Sequence, residues 1–313
     1  MATFTAAAPI FAGDSIVAGS YNGSRDTVQT LSSWNRKTGE ANWSKEGNGA
    51  FWFPQYRDGV IYTGSTDHKL YAFDARTGQE KWSYETTAPL ATQLALSATI
   101  IYCSTQGRIY QSPAVPRTIY AIDIESGQYL WSYDNRRKWL PELFQQSKMF
   151  HSPVFFKDKL YASAGSELWV FDAKTGKKLL VKDLKLKYFL QPFHLQCINE
   201  DYLCLSSTHA NEIIIVHPEN GEPIIRINAS SYAIALHQSS LYWSDQDGRF
   251  HAFDLEDSTE KWVLEFPEKM FGSPIVQGTK LYTSLNETLY CLDSETGELL
   301  WSYSLSSEQK ESE

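Results

Sequence analysis

Cysteine is scarce in this chain: only Cys103, Cys197, Cys204 and Cys291 occur in 313 residues. They are too few and too scattered for a disulfide-built fold, and no CxxC pair offers a zinc or redox site. Buried thiols are the expectation. One pair stands out, because a two-residue turn at Glu200-Asp201 would set Cys197 opposite Cys204 across a hairpin, where strand residues are within contact distance. Basic charge is also short. Against 37 Asp and Glu stand 28 Lys and Arg, a net charge of −9, and that field repels phosphate backbones and anionic lipid. Neither nucleic-acid nor membrane-surface binding is expected. No run approaches the roughly 18 apolar residues of a membrane-spanning helix. Residues 1–19 carry Asp14 inside their apolar stretch and no Lys or Arg before it, so they read as no secretory signal, and a first cysteine at 103 leaves no lipobox. The expectation is a soluble, monomeric, cytoplasmic protein, or a periplasmic or extracellular one if its N-terminus has been trimmed. Helical periodicity is nearly missing, with one short candidate at residues 140–148, opened by Pro141.

What the chain does have is aromatic residues. Trp 10, Tyr 18 and Phe 16 make up 14% of it, while charged residues supply 21%, a balance that excludes disordered and coiled-coil classes. These aromatics recur at a fixed spacing. Leu70-Tyr-Ala-Phe-Asp-Ala-Arg-Thr-Gly-Gln-Glu-Lys-Trp82 is echoed by Ile119-Tyr-Ala-Ile-Asp-Ile-Glu-Ser-Gly-Gln-Tyr-Leu-Trp131 and by Leu289-Tyr-Cys-Leu-Asp-Ser-Glu-Thr-Gly-Glu-Leu-Leu-Trp301. Weaker copies run from Asn35 to Trp43, Asp172 to Leu180, His217 to Ile225 and Asp254 to Trp262, the last with Ser258 in place of glycine. The seven turn positions, 39, 78, 127, 176, 221, 258 and 297, lie 37 to 49 residues apart, the period of a four-stranded propeller blade. Segments such as Lys159-Leu-Tyr-Ala-Ser and Lys280-Leu-Tyr-Thr-Ser alternate with period 2, as strands do. In each unit the Asp carboxylate should accept backbone N–H groups across the turn, and the glycine should supply a positive φ. The Trp four residues later should bury its ring against the neighbouring sheet.

The pattern apolar-Tyr-Ala-apolar-Asp-x-x-Thr-Gly-x-x-x-Trp resembles the PQQ-like (pyrroloquinoline quinone) β-propeller repeat family, from about residue 6 to about 305. The resemblance implies an all-β fold, a seven-bladed β-propeller of four-stranded antiparallel blades. It would form one domain over 1–305, with insertions near 105–117 and 135–148 and a disordered polar tail at 306–313. For function the resemblance is broader, since the same repeat serves quinoprotein enzymes, an outer-membrane barrel-assembly lipoprotein and appended binding domains. Quinoprotein dehydrogenases typically place a vicinal Cys-Cys by the cofactor and a Glu, Asn and Asp set around calcium. This sequence has no adjacent cysteines and no matching calcium set, so neither PQQ nor calcium is expected. The lipoproteins usually have eight blades and carry a lipobox, so the chain departs from them as well.

In a propeller the first residues of each innermost strand line the mouth of the central channel. Aligning the repeats on their Leu-Tyr pairs places Ala7, Trp52, Thr92, His151, His194, Tyr232 and Gly272 at one such position, just after Ala6, Phe51, Ala91, Phe150, Phe193, Ser231 and Phe271. The second set is rich in Phe and reads as packing between blades. The first varies from blade to blade, which makes Trp52, His151, His194 and Tyr232 candidate ligand or partner contacts. Two histidines alone do not complete a zinc site. Both insertions should rim the same top face, where loops on a rigid scaffold carry binding residues, and the second holds the basic cluster Arg136, Arg137 and Lys138 beside Trp139. No Ser, His and Asp arrangement or carboxylate pair is brought together by the repeats, so no catalytic residue is assigned. The reading is a non-catalytic binding or scaffolding propeller that engages a protein, a peptide or a small polar or anionic ligand through its top face. The alternative is an enzyme at the channel mouth, either a reduced quinoprotein oxidoreductase or a hydrolase or lyase.

Overall fold

A computed structural model describes residues 9–19, 29–105, 117–134, 150–185, 194–207, 211–229, 231, 234–245, 247–266, 274–285 and 288–304. These residues hold 28 strands in seven four-stranded sheets, and each sheet is built from four strands consecutive in the chain. The fold is an all-β seven-bladed β-propeller, as the repeats predict. The fourth strand of the last blade is Leu299–Ser304. Residues 1–8, the helix candidate at 140–148 and the tail at 306–313 lie outside the described residues.

The turns form for the reason the motif gives. Asp74 Oδ1 accepts the backbone N–H groups of Arg76 and Thr77 and the Thr77 hydroxyl. Asn35, Asp172 and Asp293 stand in the same place and receive the same backbone donors. Even in the fifth blade, where His217 replaces the carboxylate, its Nδ1 accepts from Glu219 N at 3.2 Å. The hydroxyls and N–H groups of Thr77, Ser126 and Thr175 hold Asp74, Asp123 and Asp172 below the usual carboxylate range, and the Thr296 N–H does the same for Asp293. All seven turn positions have positive φ, including Ser258 at +55°, a region that side chains other than glycine rarely enter.

The recurring Trp residues join successive blades. Trp43, Trp82, Trp131 and Trp262 each send the indole N–H to the carbonyl just after the next blade's Asp: Ala75 O, Ile124 O, Ala173 O and Ser294 O, at 3.0–3.3 Å. Each ring lies flat against the next turn glycine, so a Cβ at Gly78, Gly127 or Gly176 would meet it at 2.6 Å. The Tyr of the Leu-Tyr pair converges on the same acceptors: Tyr102 donates to Ala173 O at 3.0 Å and Tyr242 to Ser294 O at 3.2 Å. Burial of these rings and their aliphatic neighbours drives the packing at roughly 25 cal/mol per Å² of apolar surface.

The chain forms two compact units, residues 1–165 with 169–181, and residues 166–168 with 182–313. In the first, one core joins Leu31, Phe51, Ile61 and Phe73, and another joins Tyr102, Trp131, Phe150 and Phe171. In the second, Cys204, Ile213, Leu241 and Trp243 form one core, and Tyr242, Phe250 and Leu281 form the next. The hairpin expected at Glu200-Asp201 is present: Asn199 N donates to Tyr202 O at 2.9 Å, and Cys197 pairs in register with the buried Cys204. Trp301, the last copy of the recurring Trp, is 42% exposed.

Candidate functional site

Trp52 lies on the first strand of the second blade, Phe51–Arg57. That strand carries a bulge. Trp52 pairs with Gly64 but Gln55 pairs with Tyr62, so one extra residue is accommodated, and Phe53 takes φ +47°. Such a conformation costs a bulky residue roughly 1–3 kcal/mol, and bulges of this kind re-aim side chains. The Trp52 carbonyl accepts the Thr63 hydroxyl at 3.0 Å, and its ring lies 5.9 Å from that of Phe53.

His151 is buried, at 5% exposure, and its N–H donates to Ser163 O at 3.0 Å. Thr92, assigned the same position one blade earlier, is its neighbour. Ser104 Oγ lies 3.0 Å from Thr92 Oγ1 and 3.3 Å from the His151 carbonyl, and Thr92 in turn donates to Ser104 O at 2.9 Å. Phe51 and Phe150, from the preceding position, are buried, and Phe150 packs edge-on against Trp169. The ends of the first insertion are pinned, with Thr105 N donating to Thr118 O and Thr118 N to Thr105 Oγ1. His194 opens the first strand of the fifth blade and pairs with Ser206. Its side chain lies outside the described residues, as do Tyr232, Arg136, Arg137, Trp139 and most of both insertions.

The second unit contains a site that repeat reasoning passed over. A cleft of about 540 Å³ opens between the fifth and sixth blades, walled by Trp243, Asp245, Arg249, His251 and Glu260. His251 is held on both sides, with Nδ1 2.8 Å from Glu260 Oε1 and Nε2 3.1 Å from Asp245 Oδ2. Asp245 Oδ2 also takes Arg249 Nε at 2.8 Å, and its Oδ1 takes the backbone N–H groups of Asp247 and Arg249. Arg249 then reaches Asp247 at 3.0 Å. Burial alone would raise the Asp245 pKa, but hydrogen bonds from Arg249 and His251 outweigh it and hold the carboxyl below its ordinary value. The hydrogen bond to Asp245, together with its charge, raises the Arg249 pKa in return. Trp243 lies parallel to His251, their centroids 4.8 Å apart at 6°.

The signal for this site was present in the repeats. The cross-strand pair Trp243 and His251 occupies the register held by Thr63 and Tyr71, by Cys103 and Tyr120, and by Thr283 and Tyr290. Only the sixth blade puts Trp there, and where Asp245 stands the second and third blades have Ser65 and Thr105. Among the described residues no group of three or more His, Cys, Asp or Glu is placed to hold a metal ion, and no helix is long and apolar enough to cross a membrane.

Residues 3–226 and 226–312 match the model of a family described as outer membrane protein assembly factor BamB. The chain belongs to that family. As a BamB-family propeller it is similar to the crystal structure of BamB from Moraxella catarrhalis, with 16% identity and a TM-score of 0.67 over 96% of this chain and 85% of that one. It is also similar to the computationally designed protein Ika8, at 17% identity and a TM-score of 0.73, covering 96% and 87%. A third similar structure is the quinohemoprotein alcohol dehydrogenase ADHIIG from Pseudomonas putida HK5, at 12% identity and 0.72, covering 95% of this chain and 66% of that one. At these identities the likeness is one of fold, shared by proteins of different function. No individual curated protein matches the chain.

Proposed function

We propose that this BamB-family propeller is a non-catalytic binding module that engages a protein or peptide partner through the face carrying Trp52 and the two insertions. The observation that carries the reading is the match of nearly the whole chain to a family described as an assembly factor. The bulged strand at Trp52 supports it, because it holds a half-buried indole next to the strained backbone of Phe53. In this reading Trp52 and the basic cluster Arg136, Arg137 and Trp139 make the contacts. The test is affinity capture followed by crosslinking mass spectrometry, comparing the intact chain with Trp52→Ala, Arg137→Ala and Trp139→Ala variants. Each substitution should reduce recovery of a reproducible partner severalfold while the thermal midpoint stays within a few degrees. Capture that all three leave unchanged would remove this face, and the absence of any reproducible partner would remove the function.

A further inference from the structure

The cleft between the fifth and sixth blades goes beyond partner binding, and it is built from residues of the second unit alone. Its informative atom is the Trp243 indole nitrogen. Trp243 is 2% exposed and walls the cleft, yet its Nε1 has no hydrogen-bond acceptor. By contrast Trp43, Trp82, Trp131 and Trp262 all donate to a carbonyl. A buried donor left without a partner is costly and uncommon. Here it arises from a Trp in a register that Thr63, Cys103 and Thr283 fill in other blades, stacked against a histidine that two carboxylates hold in place.

The surroundings narrow what could satisfy it. Arg249 uses Nε and one terminal nitrogen on Asp245 and Asp247, which leaves Nη1 unused, and the amides of Asn211 and Asn228 stand exposed on the wall. Nη1 and the indole N–H are donors only, and each Asn amide both donates and accepts, so a ligand must bring acceptors. Three carboxylates, Asp245, Asp247 and Glu260, face one guanidinium and one imidazole, and that balance disfavours an anion. The acceptor is therefore a neutral oxygen. The second oxygens of Glu260 and Asp247 ask for O–H donors, while a cation, which only donates, would leave the indole and Arg249 unsatisfied. Phe253 and Ile227 add an apolar wall, and the volume falls within the range of small-molecule sites. Groups that donate and accept from adjacent atoms on a compact C–H frame are vicinal hydroxyls. We propose that this cleft binds a neutral polyhydroxyl ligand of mono- or disaccharide size, with Glu260, Asp247 and Arg249 reading the hydroxyls and the Trp243 side chain yielding enough for its buried N–H to take one ligand oxygen.

The experiment is calorimetry and saturation-transfer NMR on the full chain with glucose, N-acetylglucosamine and maltose, using inorganic phosphate and lysine methyl ester as controls. At least one sugar should bind saturably at millimolar concentration or below, with both controls weaker. Trp243→Phe keeps the ring and removes the orphan donor. It should weaken sugar binding about tenfold while leaving the thermal midpoint unchanged or higher, whereas a purely structural tryptophan would lose stability. Glu260→Gln alters a half-exposed carboxylate and should weaken binding similarly, so the proposal stays testable if the Trp243 variant does not fold. Lack of binding by all three sugars, tighter binding of lysine methyl ester, or sugar affinity unchanged in the folded variants would each overturn it.

Discussion

Trp82 and Gly127 form a single joint: the indole ring lies 2.6 Å from where a Gly127 Cβ would be, and its N–H reaches the carbonyl of Ile124, three residues before that glycine. The same arrangement recurs for Trp43 with Gly78, Trp131 with Gly176 and Trp262 with Gly297. Two demands thus meet at one residue, a left-handed backbone and the absence of a side chain.

Gly127→Ala should separate these demands from a simple turn penalty. The left-handed φ of +69° costs an alanine roughly 1 kcal/mol, and displacing the indole adds about 1–3 kcal/mol more. Gly59 has a φ of +80° but nothing within 4 Å of its Cβ position, so Gly59→Ala should cost only the first amount. Urea unfolding of the two variants measures the difference.

The sixth turn offers the converse test. Ser258 replaces glycine there, and the fifth blade has Ile225 in the register that Trp131 holds in the third. Ile225→Trp should destabilise the protein, and the loss should shrink by about 1–2 kcal/mol when combined with Ser258→Gly, a coupling of the size seen between touching residues. A double-mutant cycle by chemical denaturation gives the value, and strict additivity would refute the coupling.

Burial pushes the Tyr102 hydroxyl and the Cys103 thiol each up to about 12. Both stay neutral in the fold at pH values where the unfolded chain ionises them, near 8.5 for Cys and 10 for Tyr. Their stabilising effect is therefore complete below about pH 8.5 and is lost as pH rises towards 12. Thermal midpoints should fall across that window. Tyr102→Phe should flatten the upper part of the fall, at a cost near neutral pH of about 0.5–1.5 kcal/mol for the lost bond to Ala173 O.

Asp245 has the opposite sign. Its depressed pKa makes its contribution present above the unfolded value of about 3.9 and lost as pH falls through the lower folded value. Asp245→Asn should lower stability at pH 7 by about 1–3 kcal/mol, since it weakens the hold on Arg249 and on the His251 ring. The variant should also lose less on acidification than the parent. Circular dichroism melts at pH 7 and pH 3 decide this.

Much of the fold was legible because the repeat writes its mechanics into single residues. The Thr-Gly turns, the Asp acceptors and four of the Trp joints stand where the spacing puts them, Trp301 being the exposed exception, and Ser258 stands in for glycine with a positive φ. Given a turn at Glu200-Asp201, the pairing of Cys197 with Cys204 follows from counting outward along the two strands. The Tyr of each Leu-Tyr pair was recognised as a strand residue, but its convergence with Trp on one carbonyl needs the partner blade in place and cannot be read from one repeat. The cleft was missed for a different reason. Variation between repeats is easiest to see on the innermost strands and in the insertions, whereas Trp243, Asp245 and His251 sit on the second and third strands of the sixth blade and in the loop between them. They looked like ordinary pattern residues until their register partners were compared.

The joint between Trp82 and Gly127 also bears on how such a chain can be rearranged. Each outer-strand indole is fitted to the turn of the blade that follows it, so the unit that carries over intact is a junction and not a blade. Copying the sixth blade, with Ser258 in its turn, to a place after the first would set a side chain beneath Trp43, whereas the third blade with Gly127 would fit there. Sheets that look interchangeable along the sequence are thus keyed to their neighbours at these four junctions, and viable duplications or swaps should be those that keep each indole ahead of a glycine.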